Sequence, residues 1–336
     1  MSKLSDCIVN KKVSNKPIWF MRQAGRYLPE FRKIRSENKD FIKLCLNPDL
    51  VREITLQPIK RFKLDAAIIF SDILIIPYGL NQKVEFKKGH GPILGEIDIE
   101  KILNYKESNF IDRVSPVYKG IEKTKEKLKN TNLIGFAGAP WTLLVYILNK
   151  ESPKKNFNSD RIFKNEEKIK KLMSKIESII YLHLKKQIEA GADTIQIFDS
   201  WAGLLPQDKI QNYCFEPTRR IVSRLKKLGK PVICFPRGIN KKYEEFCKVV
   251  KPDCISIDYD VEPSWILKKA SGIPIQGGLD PKLLLGPIEE LKKSIKKYIS
   301  TFSNYPYIFN LGHGVLPETK PETIDFVVKF IREKND

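Results

Sequence analysis

The chain has 336 residues, with 60 lysines and arginines against 40 aspartates and glutamates, a formal net charge of +20. Hydrophobic residues make up 42% of it and aromatic residues 10%, which is enough for a sizeable core and excludes a disordered chain. No apolar run is long enough to span a bilayer, and the start, MSKLSDCIVNKK, lacks the apolar stretch of a signal peptide. We expect a cytoplasmic protein that does not enter a membrane.

The positive charge has two interpretations. The lysines are spread over nearly every predicted helix, often opposite its apolar face, which is typical of a solvated surface. A pI of about 9.5 is also compatible with nucleic-acid binding. Zinc-finger spacing, a helix-turn-helix and aromatic RNA-binding motifs are all missing from the sequence. We therefore favour the solvated surface and expect no nucleic-acid partner.

The first part of the chain is a polar stretch followed by an arginine-rich one. Residues 1–16 predict a loose tail. Residues 17–35, PIWFMRQAGRYLPEFRKIR, hold four of the thirteen arginines in the chain, namely Arg22, Arg26, Arg32 and Arg35. Guanidinium groups bind carboxylates or phosphates through two parallel hydrogen bonds, whereas an ammonium is a hydrated point charge. The segment therefore predicts an anion-binding loop, followed by a helix from Pro29.

Apolar runs then alternate with helical patterns. Seven runs predict strands: DAAIIFSD, LIGFAG, TIQIFDS, PVICFPRG, CISIDY, IPIQGGLD and YIFNLGHG. Helices are predicted from Asn47-Pro48, at about 115–129, at 166–190, at about 208–228 and in PETIDFVVKFIREK. Residues 73–114 contain ILIIP and the glycine-rich KKGHGPILGE, and they leave room for an eighth strand.

This alternation predicts parallel strands joined by helices. Polar residues end nearly every apolar run, among them Asp72, Ser200, Arg237, Asp258, Asp280 and His313. Polar groups at the carboxyl ends of many strands favour a closed (β/α)8 barrel over an open sheet, which concentrates its site at one switch point. We predict an α/β fold of the TIM-barrel type. It forms one domain over residues 1–336, with the active-site cleft at the carboxyl ends of the strands.

Motifs for metals and organic cofactors are missing. The six cysteines have no CxxC spacing and several lie in apolar runs, which predicts buried free thiols. The sequence contains no HExxH, no GxGxxG after a strand and no GxxxxGK[ST]. We expect no metal and no cofactor, and hence acid–base and electrostatic chemistry on an anionic substrate.

The candidate groups for this chemistry differ in strength. Glycines flank His313, which allows close approach of a ligand. Asp72 ends a buried strand and needs donors, either from a ligand or, as a purely structural group, from Arg22 or Arg26. Tyr146 and Ser200 are weak candidates taken alone. Of the other two histidines, His183 lies on the apolar face of a predicted helix, and we interpret it as structural. His90 lies in the glycine-rich stretch and indicates no role.

The arginine-rich segment closely resembles the N-terminal signature of the uroporphyrinogen decarboxylase family. FSDIL at 70–74, GAPWTLLVY, IQIFDSWAG and NLGHG are similar to the family segments that carry its aspartate, tyrosine, serine or threonine, and histidine. The resemblance covers nearly the whole chain. One departure is Gly278 in IQGGLDP, where the family pattern has asparagine.

The resemblance implies a cofactor-independent TIM-barrel enzyme, a homodimer, that converts the four acetate side chains of uroporphyrinogen III to methyls, giving coproporphyrinogen III. Arg22, Arg26 and Arg35 would bind substrate carboxylates, and the Gln23, Ala24 and Gly25 amides would line the same cleft. Asp72 would face the pyrrole nitrogens. The groups that would hydrogen-bond the side-chain carboxylates are Tyr146, Ser200 and His313. The donor of the ring proton stays open between Arg22, a substrate carboxyl and water.

A second enzyme class shares features of this fold. Corrinoid- or zinc-dependent methyltransferases need thiol and imidazole ligands at strand ends. Cys234 and Cys254 lie within apolar strand runs and no histidine accompanies them. Stoichiometric zinc in the purified protein would favour this alternative.

We predict that Arg26→Lys keeps the fold and loses most activity. A point charge cannot replace the two parallel hydrogen bonds of a guanidinium, and a hydrogen bond to a charged group is worth about 1.5–3 kcal/mol. Decarboxylation kinetics and the melting temperature of the variant check this. Kinetics within about twofold of the unaltered protein would reject the role of Arg26.

Overall fold

The computed structural model describes residues 1–87, 90–154 and 157–335. Lys88 and Gly89, in the glycine-rich part of the ambiguous stretch, lie outside the described residues. The strands are β1 Ala66–Ile68, β2 Val84–Lys87, β3 Gly91–Leu94, β4 Asn132–Gly138, β5 Thr194–Asp199, β6 Val232–Pro236, β7 Cys254–Ile257, β8 Ile275–Gly277 and β9 Tyr307–Ile308. Seven of them form one parallel sheet in the order β1-β4-β5-β6-β7-β8-β9, which confirms the seven predicted strands.

Helices follow most of the strands. They are α1 Lys3–Val9, α2 Pro29–Glu37, α3 Phe41–Cys45, α4 Pro48–Phe62, α5 Ile75–Gly79, α6 Ile99–Leu103, α7 Glu107–Lys125, α8 Pro140–Asn149, α9 Glu166–Glu189, α10 Glu216–Lys226, α11 Tyr243–Val250, α12 Pro263–Lys269, α13 Ile288–Thr301 and α14 Pro321–Asn335. Short 3-10 turns lie at Ser159–Asn165, Ala202–Leu204, Asn240–Lys242 and Pro281–Leu285, and a π-helical turn at Gln211–Phe215. None of the described helices is long and apolar enough to cross a membrane.

The sheet is curled, and the segment before the arginines lies between its two edges. Ile18 pairs in parallel with Phe309, just after β9. The Trp19 N–H donates to the Phe309 carbonyl (3.3 Å), and the Phe309 N–H donates to the Pro17 carbonyl (2.9 Å). On the other side, the Asp65 N–H, next to β1, donates to the Ile18 carbonyl (2.9 Å). Residues 17–19 therefore connect the first and last strands of the sheet.

Side chains on the two faces of the strands build two separate cores. Successive strand residues point to opposite faces, so the outer face packs against the helices. The inner face forms a smaller cluster to which both edge strands contribute: Leu4, Cys7, Ile8, Trp19, Met21, Ala66, Ile68, Ile134, Ile233, Phe235, Cys254 and Ile308. Above it lies a buried polar layer in which Trp19 Nε1 donates to Gln276 Oε1 (2.9 Å) and Gln276 Nε2 donates to Gln196 Oε1 (3.1 Å). These bonds fix Trp19, three residues before Arg22.

Three predictions are corrected. Residues 1–16 are not a loose tail throughout, because α1 buries Leu4, Cys7 and Ile8 in the inner core, and the polar residues around them masked this short apolar face. The stretch 73–114 adds no strand to the main sheet; β2 and β3 pair with each other in antiparallel fashion. The helix predicted at 115–129 begins at Glu107 and runs through Pro116, since the buried face from Phe110 to Ile121 continues across the proline.

Other helix predictions are confirmed, with one refinement. The helices that begin at Pro48, at Glu166 and at Pro321 lie where the sequence predicted them. Asn47 caps the first of them through its side-chain oxygen. The single helix predicted at 208–228 is a π-helical turn, Gln211–Phe215, followed by α10.

Candidate active site

The loop after Trp19 is held in shape by Gln23. This residue is fully buried: its Oε1 accepts from the Phe20 N–H (3.0 Å) and its Nε2 donates to the Ala66 carbonyl in β1 (3.0 Å). The Gln23 N–H donates to the Phe20 carbonyl, so this amide is engaged within the turn. No hydrogen bond among the described residues uses the amides of Ala24 or Gly25. Of the three predicted loop amides, these two therefore lack a partner within the described part of the chain.

Arg22 adopts a left-handed backbone conformation, with φ of 59°. This conformation costs a non-glycine residue about 1–2 kcal/mol, so the surrounding contacts must impose it. They do so from the segment after β9: the Met21 N–H donates to Asn310 Oδ1 (3.0 Å) and the Val315 N–H donates to the Met21 carbonyl (2.9 Å). Arg22 and His313 therefore belong to two interlocked segments.

The side chain of Arg22 lies directly over Gly314. A Cβ atom at position 314 would come within 2.4 Å of Arg22 Cδ and 2.7 Å of its Cγ. Sequence reasoning interpreted the glycines flanking His313 as allowing close approach of a ligand. It missed this second requirement, which only the contact with Arg22 shows.

Asp72 follows β1 in a turn and is half-buried. Its Oδ1 accepts from the Leu74 N–H (2.8 Å), and among the described residues its Oδ2 accepts no hydrogen bond. Burial raises the pKa of Asp72 from 3.8 to about 6, against smaller lowering effects of the Leu74 hydrogen bond and of Arg22. The described side chains form no ion pair between Asp72 and Arg22 or Arg26, so the hypothesis of a purely structural arginine partner gains no support.

Tyr146 and Ser200 are held by contacts between α8 and the turn after β5. Thr142 Oγ1 donates to Asp199 Oδ1 (2.6 Å) and accepts from the Trp201 N–H (3.1 Å). These bonds fix Ser200, which lies between Asp199 and Trp201 and is half-buried. The Tyr146 ring packs against the Trp201 ring with centroids 6.1 Å apart.

The ionisation states in the cleft follow from burial. It raises the pKa of Tyr146, on which Asp72 and Arg22 also act, so the phenol is a neutral donor at pH 7. It lowers the pKa of His313 to about 3, with further lowering by the charges of Arg22 and Arg237. His313 is therefore a neutral imidazole. The charge of Arg22 acts on the pKa values of Asp72, Tyr146 and His313, so these three side chains lie near that arginine.

The remaining arginines of the segment, Arg26 in the loop and Arg32 and Arg35 on α2, have different surroundings. Arg26 is exposed and its guanidinium has no partner among the described residues. Arg32 Nη1 donates to the Arg26 carbonyl (2.9 Å) and to the Tyr27 carbonyl (3.1 Å), so this guanidinium binds the backbone of the loop. Arg35 donates to the Asn38 carbonyl and lies 5.6 Å from the centroid of the Phe41 ring, which packs on Phe70 near Asp72.

The other histidine and cysteine candidates are structural. His183 Nδ1 contacts the Tyr118 hydroxyl (3.0 Å), and burial lowers the pKa of this histidine to about 3. All six cysteines are buried free thiols, as predicted. Burial raises the pKa values of Cys234 and Cys254. Within the described part of the chain, no group of three or more His, Cys, Asp or Glu residues is placed to hold a metal ion.

Gly278, the departure from the family pattern, has a local explanation. Its φ is 100°, and a Cβ there would come within 2.5 Å of Tyr298 Cε1. The Tyr298 hydroxyl donates to the Gly278 carbonyl (2.6 Å). In this chain Tyr298 therefore occupies the space that a side chain at position 278 would need.

The comparisons with known proteins agree with this architecture. The profile of the family described as Uroporphyrinogen decarboxylase (URO-D) matches residues 1–334. A protein named uroporphyrinogen decarboxylase from Rickettsia bellii (strain RML369-C) is 43% identical over 329 residues, covering 96% of each chain. One of the same name from Rickettsia felis (strain ATCC VR-1525 / URRWXCal2) is 42% identical over 334 residues, covering 97% of this chain and 96% of the other.

Among solved structures, a methyltransferase from Methanosarcina mazei superposes with a TM-score of 0.78 at 15% identity, covering 98% of this chain and 97% of the other. At that identity the likeness concerns the fold alone. The comparisons define a carboxy-lyase of porphyrin biosynthesis. The chain belongs to the uroporphyrinogen decarboxylase family.

We predict that Gly314→Ala displaces the Arg22 side chain and lowers kcat/KM about tenfold or more. The melting temperature should change little, because the flexible side chain of Arg22 can move away from the added methyl group. In an Arg22→Ala background the same substitution should cost less than about twofold, because the two residues are coupled. Steady-state kinetics of the four proteins in this cycle make the measurement.

Gly286→Ala is the matched control, since the nearest atom to its added Cβ is the Leu283 carbonyl oxygen at 3.8 Å. Equal losses from Gly314→Ala with and without Arg22 would show that Gly314 does not position this arginine.

Proposed function

We propose that the cleft decarboxylates the four acetate side chains of uroporphyrinogen III to methyls, giving coproporphyrinogen III, without a metal or an organic cofactor. The observation that carries the proposal is Asp72, a carboxylate with one oxygen unengaged, beside a partner-free arginine and two neutral hydrogen-bonding groups. Family membership supplies the substrate class.

In this proposal the pyrrole ring itself accepts the electrons. A proton adds to a ring carbon next to the acetate-bearing carbon and makes the pyrrole cationic. The bond to the carboxylate then breaks, carbon dioxide leaves, and its electron pair neutralises the ring. The exocyclic CH2 takes up a second proton and the ring loses the first, so each turn consumes one proton and releases one carbon dioxide.

Asp72 stabilises the cationic intermediate. Its carboxylate faces the pyrrole N–H groups, which become stronger donors once the ring carries positive charge. Because burial leaves this carboxylate poorly solvated, its charge acts on the ring with less screening than in water. The Leu74 amide holds Oδ1 in place, and Oδ2 receives the substrate.

The rim of the macrocycle is bound by the groups around Asp72. Arg22, Arg26 and Arg35 bind carboxylates, and the amides of Ala24 and Gly25 contribute donors. The neutral side chains of Tyr146, Ser200 and His313 hydrogen-bond further carboxylates. For the loop amide of Gln23 we propose a structural role, since it already donates to Phe20.

We also propose that residues 17–19 form the eighth member of a closed (β/α)8 barrel in a single domain. Their hydrogen bonds to Phe309 and Asp65 on either side support this. The Trp19 N–H should then exchange with solvent as slowly as the amides of β4. Exchange as fast as in an exposed loop would contradict closure.

We also propose that the protein forms a homodimer and acts in the cytoplasm. The loops after β5 and β8, at the carboxyl ends of the strands, expose Leu204 (37%) and Leu285 (48%), which a second copy would cover. Six buried free thiols suit a reducing compartment. Sedimentation equilibrium tests the dimer, and a monomer at micromolar concentration would contradict it.

The activity is tested by incubating the purified protein with uroporphyrinogen III under anaerobic conditions and separating the oxidised products by chromatography. Coproporphyrin should appear, through products with seven, six and five carboxylates, and EDTA should leave the rate unchanged. Unreacted substrate would contradict the function, and a large loss with EDTA that metal restores would contradict the cofactor-free mechanism.

We predict that Asp72→Asn lowers turnover far more than it weakens substrate binding. The amide is nearly isosteric but neutral, and the lost charge acts mainly in the transition state, so the loss should be about 3 kcal/mol or more. Asp72→Glu keeps the charge and should be damaged less. Wild-type turnover by Asp72→Asn at saturating substrate would contradict the catalytic role.

The pH dependence gives a separate prediction. The folded pKa of Asp72, about 6, lies above its ordinary 3.8, so the carboxylate loses its charge as the pH falls through 6, and kcat/KM should fall with it. Its contribution to stability runs the other way. The contribution of Asp72 to the free energy of unfolding is complete below pH 3.8 and is lost as the pH rises through 6. Asp72→Asn should therefore not lower the melting temperature at pH 7.5.

The control is Asp199, whose pKa burial also raises to about 6. The profile of kcat/KM against pH should keep its acid limb near pH 6 in Asp199→Asn and lose it in Asp72→Asn. If the acid limb of the kcat/KM profile disappears in Asp199→Asn and persists in Asp72→Asn, the buried Asp199 controls this limb and Asp72 does not.

A further inference from the structure

Most arginine side chains in this protein already have protein partners. Nine of the thirteen form ion pairs, hydrogen bonds or ring contacts: Arg32, Arg35, Arg52, Arg61, Arg113, Arg219, Arg220, Arg224 and Arg332. Among the described residues the other four, Arg22, Arg26, Arg161 and Arg237, have none. Arg237 differs from the other three because it is half-buried, whereas they are exposed. Arg237 is therefore less solvated than the other three, and the carboxylate of a ligand would be a suitable partner for its guanidinium.

The backbone of Arg237 is fixed from both sides at the carboxyl end of β6. Its N–H donates to the Asp199 carbonyl (3.1 Å), and its carbonyl accepts from the Gly203 N–H (2.9 Å), so it adjoins the turn that carries Ser200. The next amide, that of Gly238, donates to Asp258 Oδ2 (2.7 Å) after β7.

The Asp258 carboxylate does not serve as the missing partner. Besides Gly238, it accepts from the Tyr243 hydroxyl (3.2 Å) and from the Asp260 N–H (3.2 Å), and it forms no ion pair with Arg237. The position of Arg237 is therefore rigid, while its guanidinium is left unengaged by the described residues.

In the closed barrel that we propose, the order of the strands puts Arg237 across from Arg22. In the sheet, β6 is the middle strand, three places from β1 and three from β9, and residues 17–19 lie between those two edges. Both arginines nevertheless act on the pKa of His313. Arg237, at the end of β6, and Arg22, after residues 17–19, thus lie on opposite walls at the carboxyl end of the proposed barrel.

A substrate with carboxylates around its whole rim needs such an arrangement. Each of the four pyrroles of uroporphyrinogen carries one acetate and one propionate, so negative charge surrounds the ring. The loop with Arg22 and Arg26, together with Arg35 on α2, serves one side of the cleft. We propose that Arg237 binds a substrate carboxylate on the opposite side, an inference that rests on the proposed function.

The test compares Arg237→Met with Arg161→Met, a matched loss of an exposed, partner-free arginine in the 3-10 turn Ser159–Asn165. Arg237→Met should raise KM for uroporphyrinogen III about tenfold or more, the effect of losing one charge-assisted hydrogen bond, with a melting temperature within about 2 °C of wild type. Arg237→Lys should recover part of the affinity, and Arg161→Met should leave KM unchanged.

The alternatives give different results. A KM within about twofold of wild type in Arg237→Met overturns the inference, whatever happens to the melting temperature or to kcat. A fall in kcat alone means that Arg237 acts through His313 and not on the substrate. If Arg237→Met does not fold, Arg237→Lys carries the test, with a rise in KM of about threefold expected and an unchanged KM overturning the inference. Failure of the proposed function can be told apart from failure of this inference, because the unaltered protein would then release no coproporphyrinogen.

Discussion

The candidate site depends on one interlock, in which the segment before Arg22 is held between the two edges of the sheet. Residues 17–19 hydrogen-bond to Phe309 on one side and to Asp65 on the other, and the buried Gln23 binds the loop to β1. The same interlock imposes the left-handed conformation of Arg22 and brings it over Gly314. Two segments almost 300 residues apart in sequence are thereby fixed as one wall of the cleft.

Burial then decides which groups in the cleft carry charge. It keeps Tyr146 and His313 neutral, so they act as hydrogen-bonding groups and do not compete with the arginines as cations. Burial also raises the pKa of Asp72 to about 6, so its carboxylate is still ionised at neutral pH. The same burial leaves this carboxylate poorly solvated. Asp72 is then a carboxylate near the cationic Arg22 and the neutral Tyr146, which suits a substrate with pyrrole N–H groups at its centre and carboxylates at its rim.

Sequence reasoning found what local pattern and residue chemistry can show. The seven strands follow from short apolar runs, and the arginine-rich loop stood out because lysine supplies the charge elsewhere. What it missed depends on distant contacts. The face of α1 is too short to show a period, and the helix from Glu107 continues through Pro116 because of packing. The contact of Gly314 with Arg22, and the missing partner of Arg237, appear only when segments distant in sequence are assembled.

We propose that a porphyrinogen binds with its pyrrole N–H groups on Asp72 and its carboxylates on the arginines. A crystal structure of the protein with coproporphyrinogen III, prepared without oxygen, tests it directly. We expect pyrrole nitrogens about 2.7–3.2 Å from Asp72 Oδ2 and a carboxylate paired with the Arg22 guanidinium. A macrocycle bound elsewhere on the molecule, or one whose nitrogens face away from Asp72, would contradict the account.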